Sequence, residues 1–399
     1  MNAKKVFIVL FFINLLNYID RQILFSVFPL IKTDLLLTDT QLGLLASAFM
    51  LVYMVVAPVV GYMADRTPRQ IWISISAFLW SAATMFTGTV KNYGQLLFAR
   101  SLIGVGESGF TSVSPSFVAE RFPQGNRAKV LSFFGLALPL GSALGYLFGA
   151  WLGALIGWRA AFMVVGLPGI ILAVIVFFKI KDTREKPSSQ EEKPKFSQYF
   201  ALLKNKTFLY ICLGQAMGTF TLGGLAAWMP SYLNRCFDFS VAQAGTTFGL
   251  MIITAGAAGT LLGGIIADRL LKKTKKAYFI TSYISFITAL PFAAAAVFTN
   301  NPTAALLLFS ISIMLVFLQT GPMQAAIVAT TNIKIRSMAF ALNIFIIHAL
   351  GDAISPALIG RVSDAFDIKI GLIFALLFII PAALFTILAA KNYDSQESS

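Results

Sequence analysis

The sequence predicts an all-α membrane protein of twelve transmembrane helices in two six-helix halves. Three observations carry this prediction. The 399-residue chain is 57% hydrophobic but only 12% charged, and soluble proteins carry about 25% charged residues. Its apolar residues gather into twelve runs, each near the ~20 residues that a helix needs to cross hydrocarbon. The longest polar segment divides these runs into six and six.

The twelve apolar runs follow one another with short polar connections. They lie near Val6 to Phe28, Gln41 to Met63, Gln70 to Val90, Gly94 to Ala119, Ala128 to Ala150, Trp158 to Phe178, Thr207 to Leu233, Ala242 to Ile266, Ala277 to Phe298, Pro302 to Val328, Ser337 to Gly360 and Ile370 to Ala390. We therefore expect an N-terminal bundle over 1–178, a cytoplasmic linker over 179–206, a C-terminal bundle over 207–390 and a cytoplasmic tail over 391–399.

The net charge of +14 predicts orientation rather than nucleic-acid binding. Most of the 31 basic residues fall in segments that share one side if the N-terminus is inside, especially Lys179 to Lys206 and Arg269 to Lys276. Basic residues concentrate on the cytoplasmic side of membrane proteins. Both termini are therefore expected in the cytoplasm, and the short loops favour a bacterial inner (plasma) membrane and a monomer surrounded by membrane lipids.

Cysteine and histidine usage argues against a metal site. Cys212 and Cys236 lie in or beside apolar runs without CxxC spacing, and His348 is the only histidine. Buried apolar packing is the usual role of such cysteines. We expect no metal, no disulfide and no cofactor, with protons as the coupling ion.

A short motif repeats at the same place in each half. GYMADRTPR follows the second run and GGIIADRLLKK follows the eighth. The motif residues are Gly61, Asp65, Arg66 and Arg69 in the first copy and Gly264, Asp268 and Arg269 in the second. We interpret them as a cytoplasmic gate, in which glycine permits close helix approach and aspartate accepts hydrogen bonds at a helix end. The alternative is that they only mark helix ends.

The repeated motif resembles the one that the major facilitator superfamily carries between its second and third spans. Three further stretches, NYIDR, RSLIGVGESGF and IHALGDAISPALIGRVSD, resemble the corresponding stretches of the Spinster family. The resemblance covers nearly the whole chain and implies the major facilitator fold. It also implies proton-coupled movement of lysophospholipids or sphingoid lipids by alternating access.

Four charged residues lie deep within the predicted spans of the N-terminal half, namely Asp20, Arg21, Arg100 and Glu107. Each costs about 2.5 to 3.5 kcal/mol to insert, so such residues are functional candidates. Asp20 and Arg21 point ~100° apart on a helix. We expect Asp20 to pair with Arg100, and Glu107 to pair with Arg21 or a substrate headgroup. The Spinster resemblance implies that these four couple protons to gating; the alternative is a static ion network.

Polar stripes at helical spacing predict the residues that line a substrate cavity. Asn14, Asn17 and Arg21 form one stripe, and Arg100, Glu107 and Thr111 belong to another. The predicted lining set is Asn14, Asn17, Arg21, Glu107, Thr111, Gln215, Gln319, His348 and Asp352. The alternatives are plain interhelical bonding for the two glutamines and a packing role for His348, which otherwise relays protons with Asp352 at i+4.

Glycine spacing predicts where helices pack closely. Gly141, Gly145, Gly149 and Gly153 recur every four residues in the fifth run, and Gly256, Thr260 and Gly264 form a shorter series in the eighth. Small residues let helix backbones approach in a membrane. In the eleventh run, Pro356 is expected to kink or loosen the helix.

The distribution of polar groups favours an amphiphilic substrate. Buried charge gathers in the N-terminal half, whereas the C-terminal half holds mainly His348 and Asp352. Such asymmetry suits a molecule with a headgroup and a tail; a drug or organic-anion exporter of the same fold is the alternative. We do not expect an enzyme, since no Ser/His/Asp set, HxxxxD motif or metal cluster is found. A sensor would need a signalling domain that the sequence does not predict.

Overall fold

The computed structural model describes residues 1–64, 66–182, 202–331 and 335–397. These residues are mostly helical and include no β-strand. By their contacts they divide into two compact units, Met1–Gln190 with Met229–Leu250, and Glu191–Trp228 with Met251–Ser399. The boundaries predicted for the linker and tail remain predictions.

Among the described residues, eight helices precede the predicted linker. They are α1 (Ala3–Ser26), α2 (Phe28–Leu35), α3 (Asp39–Ala64), α4 (Arg69–Thr87), α5 (Tyr93–Ala119), α6 (Gln124–Gly135), α7 (Ala137–Ile156) and α8 (Trp158–Lys179). Helices α3 and α4 pack against α5, α7 packs against α1, and α8 packs against α4. The polar residues of α1, α4 and α5 thereby come into one unit.

After the predicted linker, the structure describes nine helices and one π-helical turn. They are α9 (Lys206–Phe237), α10 (Val241–Leu271), α11 (Ala277–Phe298), α12 (Pro302–Phe317), α13 (Thr320–Thr330), α14 (Arg336–Ile347), the turn His348–Asp352, α15 (Ser355–Ala365), α16 (Ile368–Leu377) and α17 (Ile379–Glu397). In the second unit, α11 packs against α12 and α17, and α15 against α16.

In the part of the chain that the structure describes, twelve helical regions correspond to the twelve predicted runs. Ten are long and apolar enough to span a membrane, and α4 and α5 occupy the positions of the third and fourth runs. Helix α5 carries Arg100 and Glu107, which lower its hydropathy. The predicted all-α, twelve-helix fold is confirmed.

Side-chain caps start several helices where the sequence supplies asparagine or aspartate. Asn2, Asn92, Asn301 and Asp367 each accept a hydrogen bond from a backbone N–H in the first turn of α1, α5, α12 and α16, respectively. These bonds satisfy backbone donors that have no partner within the helix. Polar residues between apolar runs therefore fix where these helices begin.

The glycine series of α7 packs against α1. A Cβ at Gly145 would come 2.6 Å from the carbonyl oxygen of Ile19, and one at Gly141 would come 2.7 Å from that of Leu15. Such distances are too short for a side chain, so only glycine allows the two backbones to lie this close. The prediction for the fifth run is confirmed.

In the eighth run, the closest backbone approaches occur at glycines outside the predicted series. A Cβ at Gly259 would lie 2.2 Å from the oxygen of Met314, and one at Gly263 would overlap the oxygen of Leu318. In contrast, a Cβ at Gly264 would meet no atom within 4 Å. The predicted series was right at Gly256, whose added Cβ would contact the Phe317 ring of α12 at 3.6 Å. It missed Gly259 and Gly263, which lie three and seven residues farther along the same helix face.

The eleventh run is interrupted upstream of its proline. Gly351 has φ −103° and ψ −106°, which are not helical, and a new helix starts at Ser355. Pro356 lies in the first turn of α15, where a missing N–H has no helical partner to lose. The expected kink is therefore at Gly351, and Pro356 helps to begin the following helix.

The segment Met229–Leu250 belongs to the first unit through packing and charge. Both Nη atoms of Arg235 donate to the carboxylate of Asp39 on α3, at 2.6 and 2.8 Å. The Phe248 ring packs edge-on to Tyr146 of α7, with ring centroids 5.0 Å apart. The end of α9 and the start of α10 therefore pack with α3 and α7.

Candidate functional site

Arg21 of α1 and Glu107 of α5 form an ion pair in the first unit. The Nε of Arg21 donates to Oε2 of Glu107 at 2.5 Å, and the Glu107 side chain is fully buried. Within the described residues, Arg21 Nη2 and Glu107 Oε1 have no hydrogen-bond partner. The pairing expected from the sequence is confirmed, and the pair has hydrogen-bonding capacity left over.

Asp20 contacts a threonine rather than an arginine. Its Oδ2 accepts a hydrogen bond from the hydroxyl of Thr84 on α4, and the residue is buried. No ion pair within 4.0 Å joins Asp20 to Arg100 in the described part of the chain, so the predicted direct pair is wrong. Spacing along each helix gave the depth of both groups but could not show that a third helix places Thr84 against the carboxylate.

Arg100 is buried close to Asp20 without touching it. The guanidinium carbon lies 5.1 Å from the ring centroid of Phe49, and Nε and Nη1 have no hydrogen-bond partner among the described residues. Its charge acts on Asp20 and on Glu107 through space, and such interactions are strong where water is excluded. Arg100 is therefore an electrostatic neighbour of both carboxylates.

Three aromatic rings surround the guanidinium of Arg21. Its central carbon lies 5.2 Å from the Tyr18 ring centroid, 5.2 Å from Phe49 and 4.9 Å from Tyr53. Arginine is attracted to the faces of aromatic rings at such distances. The Tyr53 hydroxyl also lies 2.6 Å from Thr111 Oγ1, which ties α3 to the predicted stripe of α5.

Sequence interpretation missed these aromatic residues and Thr84. Tyr18 could have been found, because it lies three residues before Arg21 and so shares its helix face. Phe49 and Tyr53 are four residues apart in the second run, which gave a weak signal only. Thr84 had none, since a threonine in an apolar run usually bonds its own backbone.

The two asparagines of the α1 stripe are buried in the first unit. The Asn14 amide donates to the carbonyl of Phe134 at 3.1 Å. Asn17 is fully buried, and neither polar atom of its amide has a partner among the described residues. The stripe therefore turns away from lipid, as expected, and its role in lining a substrate cavity stays a prediction.

In the second unit, His348 and Asp352 form the expected i, i+4 pair. Nδ1 of His348 lies 2.8 Å from Oδ1 and 3.1 Å from Oδ2 of Asp352. Both side chains are partly exposed, and both lie in the π-helical turn His348–Asp352.

Uncharged polar residues accompany this pair in the second unit. Gln215 and Gln319 are buried, and the Oε1 of each has no partner among the described residues. Asn343 on α14 is fully buried, with both amide atoms likewise unpartnered. Asn343 was missed, although an isolated asparagine in MAFALNIFII is a visible signal.

The repeated motif is described except for Asp65, which lies outside the described residues. Arg66 is exposed and lies over the Tyr62 ring, with its guanidinium carbon 3.5 Å from the centroid. Asp268 and Arg269 are exposed near the end of α10. These residues mark helix ends in both halves, and their gating role remains a prediction.

Close packing at the motif glycines is not observed. A Cβ at Gly61 would meet no atom within 4 Å, and the same holds for Gly264. Gly61 therefore has open space beside it, whereas Gly264 lies beside Gly321, where an added Cβ would be 3.9 Å from the Gly264 Cα. On α10 the nearest backbone approaches instead occur at Gly259 and Gly263, which lie on a different face of the helix.

Arg69 is the motif residue with the most extensive contacts. Its Nη1 donates to Oε1 of Glu120 at 2.9 Å, and Nη2 bonds the other carboxylate oxygen. Its backbone N–H donates to Oδ2 of Asp182 at 3.0 Å. Arg69 is buried and therefore fastens the start of α4 to the end of α5 and to the chain after α8. Glu120 and Asp182 were not predicted.

Metal binding finds no support in the described part of the chain. No group of three or more His, Cys, Asp or Glu side chains lies close enough there to hold a metal ion. In the first unit, the acidic residues Asp20 and Glu107 lie near the basic residues Arg21 and Arg100.

Comparison of the sequence with known families gives a match over most of the chain. Residues 10–356 match the Major Facilitator Superfamily. Protein spinster homolog 1 of Xenopus tropicalis is 33% identical over 385 residues, which cover 91% of this chain and 73% of that protein. The sphingosine-1-phosphate transporter of Danio rerio is 30% identical over 381 residues, covering 90% of this chain and 76% of that protein.

Comparison with solved structures gives the same fold. A bacterial homolog of the human lysosomal transporter Spinster, in an inward-facing and unoccupied conformation, superposes with a TM-score of 0.87 at 23% identity, covering 98% of each chain. A nucleoside transporter superposes with a TM-score of 0.76 at 14% identity, covering 97% of this chain and all of the other. At such low identity these likenesses establish the fold alone.

Proposed function

The chain belongs to the Spinster family of the major facilitator superfamily, and from this premise we propose that it is a proton-coupled transporter of an amphiphilic lipid. Membership of the family makes it an integral membrane transporter and not an enzyme. The proposed substrate is a lysophospholipid or a sphingoid lipid. The proposed mechanism is alternating access, in which the half 1–178 rocks against the half 207–390.

The buried charge cluster of the first unit carries this proposal. Asp20, Arg100 and Glu107 are all buried, and Arg21 pairs with Glu107. Charges inside a membrane are retained chiefly where function requires them, and carboxylates there commonly relay protons. Asp20 is the first candidate for the coupling proton because its carboxylate has no ion pair within 4.0 Å in the described residues.

The polar groups of each unit support an amphiphilic substrate. The first unit offers cations at Arg21 and Arg100, which suit an anionic headgroup, and Glu107 suits a cationic one. The second unit offers mainly uncharged groups at Gln215, Gln319 and Asn343. A substrate with one charged headgroup and an apolar tail matches this distribution better than a solute that is polar all around.

The location and orientation follow from the same proposal. A bacterial inner membrane with both termini in the cytoplasm accounts for the positions of the basic residues, and a monomer is the expected state. Protons are the only coupling ion proposed.

The decisive experiment replaces Asp20 by Asn and measures lipid flux in proteoliposomes with and without a pH gradient. We expect Asp20→Asn to abolish the response to the gradient, because an amide does not titrate. The exposed carboxylate of Asp364 provides a control, and Asp364→Asn should transport like the wild type. Gradient-dependent transport by Asp20→Asn at the wild-type rate would refute the proton role.

The substrate class needs a separate measurement. Purified protein is titrated with a lysophospholipid, a sphingoid base and a sugar at mildly acidic and at neutral pH. Tight binding of one of the two lipids is expected, with an affinity that changes with pH. Tight binding of the sugar alone would contradict the lipid assignment, and competition by amphiphilic drugs would indicate a drug or organic-anion exporter.

A further inference from the structure

We infer that Thr84 is a positioning residue for the proton on Asp20, donating a hydrogen bond to the ionised carboxylate and accepting one from the protonated acid. The inference rests on the function proposed above, because it describes how the carboxylate changes its charge in a buried place. It concerns α4, a helix that the sequence did not connect with proton coupling.

Two acceptors compete for the hydroxyl of Thr84. Its Oγ1 contacts Oδ2 of Asp20 and lies 2.9 Å from the carbonyl oxygen of Trp80, one turn earlier on α4. A threonine hydroxyl carries one hydrogen and two lone pairs. It can therefore donate to only one of these oxygens at a time, and it can accept from a third group while doing so.

The ionised state of Asp20 uses the hydroxyl as a donor. The hydrogen of Thr84 points to Oδ2, and the Trp80 carbonyl retains the main-chain hydrogen bond that a helical carbonyl accepts. Thr84 Oγ1, Asp20 Oδ2 and the Trp80 carbonyl then each take part in a hydrogen bond. The hydrogen bond to a charged acceptor is also of the stronger kind.

The protonated state reverses the direction of that bond. The carboxylic acid hydrogen on Oδ2 is donated to Oγ1 of Thr84, whose own hydrogen turns to the Trp80 carbonyl, and that oxygen has a second lone pair to receive it. One proton is gained and only hydrogens rotate. Asp20 can thus change its charge while the heavy atoms keep their places.

Among the described residues, Thr84 is the side chain that hydrogen-bonds Asp20, so its hydroxyl must adjust when Asp20 gains or loses a proton. Thr84 is fully buried, and Oδ1 of Asp20 has no partner among the described residues. The charged groups that act on Asp20 are Arg100 and Glu107 from α5 and its neighbour Arg21. They act through space, whereas Thr84 acts by direct contact.

The first test compares three variants of α4 in proteoliposomes. Thr84→Val keeps the side-chain shape without the hydroxyl, and Thr84→Ser keeps the hydroxyl. Thr87→Val is the matched control, because Thr87 is also fully buried and its hydroxyl bonds the carbonyl of Ala83, at 3.0 Å, and no other group among the described residues. The quantity measured is the midpoint of the pH dependence of gradient-driven lipid transport, together with thermal stability.

We expect Thr84→Val to move this midpoint to higher pH by about half to one pH unit, because the ionised state loses the stronger hydrogen bond. Thr84→Ser and Thr87→Val should leave it in place. A Thr84→Val midpoint equal to that of the wild type would overturn the inference, even if stability falls. If Thr84→Val does not fold, Thr84→Ala provides the second variant without a hydroxyl.

An infrared titration provides a readout that is independent of transport. Protonated Asp20 gives a carbonyl stretching band, identified as the one missing in Asp20→Asn. Loss of its hydrogen bond to Thr84 should shift this band to higher wavenumber in Thr84→Val and not in Thr87→Val. An unshifted band, or no such band at any pH, overturns the inference. If wild-type transport ignores the pH gradient, the proposed function itself fails.

Discussion

Arg21 and Glu107 illustrate how a buried charge depends on its partner. The Glu107 side chain is completely buried, and its carboxylate contacts Arg21. Aromatic rings also surround the Arg21 guanidinium. Two isolated charges in this place would each be costly, but a paired and stacked arrangement offsets much of that cost. Replacing either Arg21 or Glu107 alone should therefore destabilise the protein, because it leaves a buried charge without its partner.

We predict that Glu107→Gln lowers the free energy of unfolding by about 3 to 5 kcal/mol, because it leaves the Arg21 cation without its anion. Thermal unfolding of the purified protein measures this effect, and lipid flux should fall at the same time. A double-mutant cycle with Arg21→Gln is the control. The two changes should be less damaging together than their sum; simple additivity would contradict the pairing argument.

At the scale of the helix, α7 has one face made of glycines, where the neighbouring backbone lies too close for any side chain. The first three of its four regularly spaced glycines lie against α1, and the fourth, Gly153, lies against Val27 and Leu30 just after it. A Cβ on Gly149 would overlap the hydroxyl of Ser26. The rest of α7 is apolar and partly exposed, as expected for a helix with lipid around it. The element is therefore specified by backbone approach rather than by interlocking large side chains.

We predict that Gly145→Ala destabilises the protein by about 1 to 3 kcal/mol, since the added methyl would lie 2.6 Å from the Ile19 carbonyl and force the helices apart. The measurement is the thermal unfolding midpoint in detergent. Gly61→Ala is the matched control, because its Cβ meets nothing within 4 Å. Equal effects of the two changes would show that α7 does not depend on this contact.

The interruption between α14 and α15 makes a second point about elements. The proline of SPALIG predicted a weakness in the helix, but the break lies at Gly351 and precedes the proline. The carbonyl of Pro356 accepts a hydrogen bond from the Trp228 indole at 3.0 Å. The proline therefore indicated the region of the helix break correctly but not its exact residue. The start of α15 is also in contact with α9 through the Trp228 hydrogen bond.

At the scale of the whole molecule, the balance of apolar and basic residues determines insertion. Mean hydropathy is +0.79, which fits the membrane location that the fold and the family show. The net charge is +14, and the proposed orientation puts most of the basic residues on the cytoplasmic side. Under the proposed orientation, the seventh span ends outside the cell. Cys236 lies at that end of α9 and is exposed, whereas Cys212 is buried near its beginning.

We predict that a membrane-impermeant maleimide labels the protein from the outside of spheroplasts, and that Cys236→Ser abolishes the labelling. Cys212→Ser is the control and should leave it unchanged, because the Cys212 side chain is buried. Labelling that requires lysis of the cells would place the end of α9 in the cytoplasm and contradict the proposed orientation.

The sequence determined the features that depend on spacing within one segment. The apolar runs, the stripes of α1 and α5 and the His348–Asp352 pair all follow from the length and the period of a helix. The Arg21–Glu107 contact was also expected, because both residues belonged to stripes that had to turn away from lipid. Family resemblance and these local periods together sufficed for the fold.

Only the tertiary structure decided which helix meets which side chain. In the structure, Asp20 hydrogen-bonds Thr84 and forms no ion pair with Arg100 among the described residues. The closest backbone contacts of α10 are at Gly259 and Gly263, not at Gly264. The segment Met229–Leu250 packs with the first unit. The physical reason is that a helix's own period leaves its rotation and its shift along a neighbour open. Both are set by the packing of all neighbouring helices together. A shift of a single residue along a neighbouring helix is enough to replace one contacting side chain by another.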